Sequence, residues 1–351
     1  MIDIKHVAVV SAKQTMEPAF PEEPLKPPSY PNKDNVAQYL IYQNGDLKDV
    51  VLDTHQSQAN RIEPAYDNTG LIPDSTVKAG EKFITVTRLG HRLADAAIYF
   101  SNLRDKVQDV LKAFMSGNAM PVAKLSPTAL IFGLWDSRPE RSRAKITRIF
   151  NAEIRAHNVI EVPAAGQYIS SVPRLDDQVN KDLSAVGLLD CPYGVDRETG
   201  DFINKGGVLV KGEITRNVRL NLRGIRRLCG VNTEETERLQ NYVLGLGLFA
   251  LTYAASGDLR EGCNLVTTSS RYSTFAEDGT RSDISLKHED VLVFAKKAAK
   301  EFGVGEAIEF VYDPSAADAS ASGKADAKEE KTKAKKSGKV KTEAAGELVQ
   351  V

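Results

Sequence analysis

The stretch LIFGLWDSRPERSRAKITRIF, residues 130–150, decides the fold. Its apolar start, residues 130–132, predicts a short buried strand, and Gly133 with the Asp136-Ser137 pair predicts a turn. After this turn, apolar residues recur at three- and four-residue spacing, which predicts a helix with one buried face. These residues are Ile146, Ile149, Phe150 and Ile154. We therefore expect a strand, a glycine-containing turn and a helix at the centre of the fold.

The same predicted helix carries a cationic stripe. Arg141, Lys145 and Arg148 share its second face because they are three and four residues apart, and Arg138 precedes them in the same cluster. A helix start with outward N–H groups and basic side chains makes a cradle for phosphate. An ordinary solvated helix face would carry the same arginines, so this segment alone supports either interpretation.

Length and composition are those of a soluble globular protein. The 351 residues are 42% hydrophobic and 26% charged, and the net charge of −1 requires any basic surface to be local. Cys191, Cys229 and Cys263 fit neither a disulfide framework nor a paired zinc spacing. Because no signal-peptide pattern and no membrane-length apolar run is present, we expect a cytoplasmic protein without a membrane partner.

The chain before residue 130 has clear local signals. A β-branched run predicts a strand at residues 6–11, a proline-rich arm covers residues 18–37, and Asn44-Gly45 predicts a β-hairpin. Thr54 then caps a short helix. Its inward face would hold Ala59 and Ile62, and its outward face Ser57, Asn60 and Arg61. A strand at residues 82–89 and helices at 91–100 and 105–116 follow.

The second half begins with a loop-rich insertion at residues 163–207. Residues 214–222 alternate, which predicts a half-buried strand with a polar, cationic face. One side holds Val218, Leu220 and Leu222, and the other holds Thr215, Asn217, Arg219 and Asn221. A helix starting at Asn232, an amphipathic helix at residues 286–302 and a strand at 307–312 complete the pattern.

Irregular alternation of strands and helices predicts the α+β class around an antiparallel or mixed sheet. We expect one domain over residues 1–313. Residues 314–351 contain no aromatic residue and consist largely of Ala, Lys, Glu, Ser and Gly, so they predict a disordered tail.

Patterns for catalysis are sparse. The five histidines show no metal-ligand spacing, and no Walker motif, strand-linked G-x-G-x-x-G or G-x-S-x-G elbow is present. Asp53, His55 and Ser57 are too close in sequence to favour triad geometry. We therefore expect no catalytic residue, no metal and no cofactor.

Nucleic-acid binding is better supported, because separate basic segments agree. They are Arg61, residues 138–148, residues 216–227, and Arg271 with Tyr272. Arginine suits both phosphate contact and base stacking. The alternative is that these arginines pair with the acidic residues of the chain.

Four runs resemble one known family in content and order. They are VVLDTHQSQANRIEP (residues 50–64), SPTALIFGLWDSRPERSRAKITRIFNAEI (126–154), EITRNVRLNLRGIRRL (213–228) and LREGCNLV (259–266). The family is that of the CRISPR-associated backbone subunits of the type I-U, or I-G, Cascade effector complex. It belongs to the seventh Cas family of the RAMP superfamily, in its Csb branch. The proline-rich arm and the tail take no part in this resemblance.

The resemblance implies an RRM-like (ferredoxin-like) core with large insertions. It also implies a subunit of antiviral defence that binds CRISPR RNA, associates head-to-tail with other copies of itself into a helical filament, and presents the guide to target DNA. Other Cascade subunits, a Cas five/six-type fusion and a large subunit, would be partners, and a helicase-nuclease would be recruited later.

Residues that match the family's runs become the expected RNA contacts. They are Gln56, Ser57, Asn60 and Arg61 from the first helix, Arg138, Arg141, Lys145 and Arg148 from the central helix, and Arg219 and Arg223 from the third run. The glycine-rich loop of many guide-processing RAMP proteins has no clear counterpart here, so a non-catalytic subunit is expected. The alternatives are a guide-processing endoribonuclease with His55 as general base, and a protein-only scaffold.

Overall fold

The computed structural model describes residues 2–31, 37–136, 143–163, 205–254 and 257–317. Its strands are β1 Val7–Pro18, β2 Ser29–Pro31, β3 Ala37–Tyr39, β4 Ile41–Asn44, β5 Leu47–Asp53, β6 Thr76–Ala79, β7 Lys82–Thr85, β8 Leu134–Trp135, β9 Lys145–Ile146, β10 Phe150–Ala156, β11 Val159–Pro163, β12 Lys205–Val210, β13 Ile214–Asn221, β14 Asp258–Arg260, β15 Cys263–Ala276, β16 Arg281–Ile284 and β17 Glu309–Val311. Its α-helices are α1 His55–Ile62, α2 Ala96–Tyr99, α3 Arg104–Met115, α4 Met120–Leu125, α5 Thr128–Phe132, α6 Leu222–Arg226, α7 Thr233–Thr252 and α8 His288–Phe302.

The main sheet has the strand order β14-β15-β1-β13-β10-β5-β4, and β16 also pairs with β15. Neighbouring strands in it are antiparallel. Helices α1–α5 lie in the connection from β1 to β10, and α6 and α7 lie in the connection from β13 to β15. The mixture of helices with an antiparallel sheet confirms the α+β class.

One face of the sheet is covered by helices, and the other is polar. Alternate residues of β1 and β13, such as Val10 and Leu220, are buried in the main core with α1, α5, α7 and α8. Helix α7 comes close to the sheet because a Cβ on Gly247 would lie 2.6 Å from the Leu220 side chain. Gly245 allows α8 to approach in the same way, since its Cβ would lie 3.0 Å from Ala295. The outer face is described with the site below.

Several local predictions are confirmed. Strands β4 and β5 form the hairpin around Asn44-Gly45, with Gly45 at φ +60°. Thr54 caps α1 by accepting a hydrogen bond from the Ser57 N–H at 3.3 Å, and Asn232 caps α7. Strand β13 alternates as predicted from Asn217 to Leu220, with Val218 and Leu220 buried. Thr215, predicted on the polar side, is buried instead, and Leu222 begins helix α6. The confirmed signals depend on nearest neighbours in sequence, which is why the sequence alone was sufficient.

The prediction for residues 130–154 is wrong in both parts. Residues 130–132 belong to helix α5, which begins after Pro127, a residue suited to a helix start. In the described part of the predicted helix, from residue 143 onward, the chain forms strands β9 and β10 instead. In β10 the buried residues recur every two positions, and they are Phe150, Ala152, Ile154 and Ala156. Pairing with β13 on one side and β5 on the other decides in favour of a strand.

Smaller differences occur at residues 82–100. The predicted strand at 82–89 ends at Thr85 and continues as the 3-10 helix Val86–Arg88. The predicted helix at 91–100 is divided into the 3-10 helix Arg92–Ala94 and α2, because Asp95 caps a new helix start. Residues 32–36 of the proline-rich arm, residues 164–204 of the insertion and residues 318–351 of the predicted tail lie outside the described residues.

A buried polar network joins α1 to the sheet. The Asp53 carboxylate accepts from Gln58 Nε2 at 2.6 Å and from Arg61 Nε at 3.2 Å, and Arg260 Nη2 lies 3.6 Å away. Gln58 in turn accepts from Arg216 Nε at 2.7 Å. Burial lowers the pKa of Arg216 to about 10, so this guanidinium is still charged at neutral pH. A buried charge is tolerated only when it is paired, so the network favours one position of α1.

We expect Asp53→Asn to destabilise the protein by about 3 kcal/mol. This value is the lower end of the range for breaking a buried ion pair. The Arg61 and Arg260 side chains are 30% and 27% exposed, so water can still solvate their charges when the carboxylate is lost. The free energy of unfolding would be measured by urea denaturation followed by circular dichroism. Asp46→Asn, in the exposed turn between β4 and β5, is the matched control. Equal losses in the two variants would contradict the prediction.

Candidate nucleic-acid interface

The outward face of α1 carries a small polar cluster. Gln58, Ala59 and Ile62 are buried, which leaves Gln56 and Asn60 on the outside. Gln56 Nε2 donates to Asn60 Oδ1 at 3.0 Å, and Arg148 Nη2 donates to Gln56 Oε1 at 2.9 Å. We name Gln56, Asn60 and Arg148 the α1 cluster. It joins residues from two of the sequence runs that were expected to contact RNA.

A second hydrogen bond holds the guanidinium group of Arg148. Its Nε donates to the Phe132 carbonyl oxygen at 3.2 Å, at the C-terminal end of α5. Partial burial, and then the charge of Arg92, lower the pKa of Arg148. A guanidinium has five N–H donors, so these two hydrogen bonds leave others for a ligand. Arg148 is therefore a positioned cation, although it does not lie on the helix that the sequence predicted.

A two-stranded ribbon, β8 with β9, lies beside this cluster. Leu134 pairs with Ile146 and both are buried, whereas Trp135 pairs with Lys145 and both are exposed. The Lys145 ammonium lies 5.9 Å from the centre of the Trp135 ring, and 69% of Trp135 is exposed. The ribbon therefore presents an indole and an ammonium group together on its outer side.

Gly133 joins α5 to this ribbon in a backbone conformation with φ +82°. A Cβ at this position would lie 3.1 Å from the Ile146 carbonyl oxygen and 3.2 Å from the Arg148 nitrogen. Arg92 Nη1 donates to the Gly133 oxygen at 3.0 Å, and Arg92 Nη2 lies 2.8 Å from Glu63 Oε2. Burial raises the pKa of Glu63, against the opposing effect of Arg92. This buried ion pair holds the start of the ribbon.

The outer face of the main sheet is polar around Arg219. This exposed residue lies on β13 between Ser11 of β1 and Asn151 of β10, its register partners. Asn217, two residues earlier, is also exposed. Towards β5, Arg155 lies over the Tyr42 ring at 4.4 Å and is paired with Glu153 at 2.5 Å. Among the described residues, Lys145, Arg148 and Arg219 have no carboxylate within 4.0 Å of their charged nitrogens.

Other expected contact residues have different surroundings. Arg61 is bound to Asp53 and donates from Nη2 to the Leu259 carbonyl oxygen at 2.6 Å. Ser57 is half-buried, and its N–H takes part in the Thr54 cap. Arg223 forms an exposed ion pair with Glu277 at 2.6 Å. Arg138 and Arg141 lie outside the described residues. The structure therefore brings together Gln56, Asn60 and Arg148, while Arg61 is engaged within the protein.

The histidines do not form a hydrolase-like site in the described part of the chain. His55 Nδ1 lies 2.7 Å from the Ala152 carbonyl oxygen, and its Nε2 is 3.9 Å from Glu153. His157 lies between Asp49 at 2.8 Å and the Thr215 hydroxyl at 3.0 Å. Thr215 is only 2% exposed, so no substrate can reach that hydroxyl as a nucleophile. Burial raises the pKa of Cys263 to about 11, which keeps it a neutral thiol.

The described residues contain no group of three or more His, Cys, Asp or Glu side chains that could hold a metal ion. Within the same residues, every helix is too short or too polar to cross a membrane.

Residues 10–161 match the model of a family described as CRISPR-associated protein GSU0053 (Cas_GSU0053). The chain is thus similar to a CRISPR-associated family. The match supports a CRISPR-related function, and it includes the α1 cluster and the β8–β9 ribbon but not Arg219 or Arg223. No protein with a curated description matches the chain.

The sequence did not predict the exposed ring of Trp135 or the buried pair of Glu63 and Arg92. The signal for Trp135 was present, because it is the only tryptophan in the chain and lies next to a turn. Its exposure depends on the pairing of β8 with β9, which local patterns do not reveal. The contact between Arg92 and Gly133 spans 41 residues, so it had no sequence signal.

We expect Gly133→Ala to destabilise the protein by about 1 kcal/mol more than Gly117→Ala. Both glycines have positive φ, so both substitutions strain the backbone. A Cβ at Gly133 also meets backbone atoms of β9 and Arg148, whereas one at Gly117 meets nothing within 4 Å. Urea denaturation would measure both variants, and equal losses would show that the close approach at Gly133 is unimportant.

Proposed function

We propose that this protein is a CRISPR RNA-binding backbone subunit of a type I interference complex of the I-U/I-G kind. It associates head-to-tail with further copies along the guide and holds the guide for pairing with target DNA. Its other partners are the remaining Cascade subunits, with the helicase-nuclease recruited later. It has no catalytic role of its own.

The strand order supports an RRM-like core for this subunit. The four central strands follow the order β15-β1-β13-β10, and helices occur in the connections β1 to β10 and β13 to β15. This is the arrangement of a β-α-β-β-α-β unit, in which β5, β4, β14 and β16 extend the sheet. We infer that the additional elements are insertions into a ferredoxin-like domain.

The observation that carries the proposal is a series of cations that have no acidic partner in the described part of the chain, from Arg148 beside α1 to Arg219 on the outer sheet face. Arg148 belongs to the α1 cluster, and Lys145 precedes it by three residues on the ribbon. Asn151 follows Arg148 by three residues and pairs with Arg219. Three residues of extended chain span at most about 10 Å, so these side chains lie within a few nucleotides of one another.

The charges in this series suit RNA better than protein. The chain has a net charge of −1, and several of its arginines, including Arg61, Arg92 and Arg223, already have carboxylate partners. Lys145, Arg148 and Arg219, which have no carboxylate partner among the described residues, are the cations that we assign to phosphate. The exposed Asn60 and Asn217 and the half-buried Asn151 carry amide groups that can donate to phosphate, to ribose hydroxyls and to base edges.

We expect the Lys145→Ala, Arg219→Ala double variant to bind single-stranded RNA more weakly and with lower salt dependence. Each phosphate contact that is lost should reduce the slope of log K against log salt by about 0.7, giving about 1.4 for the pair. Fluorescence anisotropy of a labelled RNA, titrated at several salt concentrations, measures both quantities.

Lys297→Ala is the matched control, because Lys297 is exposed on α8, on the far side of α7 from the sheet. Binding that is independent of salt, or equally weakened in the control, would argue against this interface. A complete absence of RNA binding by the unaltered protein would leave the protein-only scaffold as the better account.

The alternative function is guide processing with His55 as general base. The Ala152 carbonyl can only accept a hydrogen bond, so His55 Nδ1 carries the proton and Nε2 is the basic nitrogen. The side chain of His55 is 34% exposed, so this nitrogen is accessible to an RNA substrate, and this observation favours the alternative.

We expect the purified protein to leave single-stranded repeat RNA intact, as resolved on a denaturing gel. His55→Ala and His157→Ala should behave in the same way as the unaltered protein. Cleavage that disappears in His55→Ala but persists in His157→Ala would establish the enzyme instead.

A further inference from the structure

The exposure of Trp135 is a consequence of how the β8–β9 ribbon packs. Tryptophan is usually well buried in proteins, yet 69% of this side chain is exposed. Its neighbours Leu134 and Asp136 are buried, and alternation along a strand directs the residue between them to the opposite side. The Asp136 N–H donates to the Ala144 carbonyl oxygen at 2.9 Å and extends the ribbon beyond Trp135. The hydrogen-bonded backbone of the ribbon therefore keeps the indole exposed to solvent.

The surroundings of this indole are cationic and polar. Lys145 lies across the ribbon from it, and the backbone of Arg148 packs against Gly133, two residues before it. Two residues of extended chain span about 7 Å, so the backbone of Arg148 lies near the ribbon that carries the ring. A protein-docking hot spot lies in a well-packed patch whose surrounding contacts exclude water, whereas this ring has an exposed lysine beside it. An aromatic face next to cations that have no carboxylate partner among the described residues suits a nucleobase and its phosphate.

We propose that Trp135 is a stacking platform for an unpaired base of single-stranded RNA, with Lys145 and Arg148 binding the adjacent phosphates. This inference rests on the proposed RNA-binding function and assigns it a residue. Every nucleobase has a π-face, so the contact is independent of sequence, as a guide of arbitrary sequence requires. The exposed side of the ring accepts the base, while the Lys145 ammonium remains next to the indole.

The test uses the intrinsic fluorescence of the full-length protein. Trp135 is its only tryptophan, so the emission reports on this site alone. Titration with single-stranded oligo(rA) and oligo(rU) should quench the emission, and an abasic RNA of equal length should quench it much less. Trp135→Ala should weaken binding of labelled RNA by about 5- to 150-fold, while Trp135→Phe should retain most of the affinity.

Phe83→Ala is the matched control. Phe83 is 58% exposed, lies on the β6–β7 hairpin, and has the Lys78 ammonium 5.6 Å from its ring. It thus reproduces an exposed ring beside a lysine at another place in the fold, and its removal should leave RNA affinity unchanged. Circular dichroism of each variant checks that the fold is retained.

The outcomes separate this inference from the proposed function. RNA binding in the anisotropy assay without quenching, and with full affinity in Trp135→Ala, would overturn the stacking role while leaving RNA binding intact. The same conclusion would follow if Trp135→Ala bound RNA normally but failed to self-associate, because the ring would then contact protein. No RNA binding by the unaltered protein would refute both proposals together.

Discussion

The buried carboxylate of Asp53 is the constraint on which the position of α1 depends. It lies where β5 ends and α1 begins, and its donors come from separate elements: Gln58 and Arg61 from α1, and Arg260 from β14. Through Gln58 the network reaches Arg216 in the middle of the sheet. A shift of α1 would leave buried charges without partners, which is far more costly than losing exposed contacts. The outward face of α1 is therefore fixed relative to the sheet.

This constraint divides the arginines of the chain into two groups. Arg61 lies on the same helix as Gln56 and Asn60, yet Asp53 binds it, so its charge serves the fold. Arg92 does the same for Glu63 and the Gly133 turn. Arg148 and Arg219 have no such carboxylate among the described residues. Sequence alone cannot make this division, because a basic residue looks the same whether its partner is an acid of the chain or a phosphate.

The sequence predicted the fold well where the deciding contacts are local. Thr54, the Asn44-Gly45 turn and the start of α7 are examples, since each signal lies within four residues of its effect. The prediction for residues 146–154 was wrong because their apolar spacing fits a helix as well as a strand. The deciding factor is pairing with β13, some 65 residues further along the chain. The outward position of Asn60 on α1 was predicted correctly, but Arg148 was placed on a helix that does not form.

The correction from helix to strand defines how Lys145 and Arg148 are connected to Arg219. On a helix, Lys145 and Arg148 would share a face, with no defined relation to Arg219. In the structure, the same segment first supplies the ribbon beside α1 and then enters the sheet as β10, directly next to β13. The chain itself therefore connects Lys145, Arg148 and the neighbour of Arg219 in order. A polymer of phosphates that follows this segment would meet each cation in turn, as a protein that tracks a single strand requires.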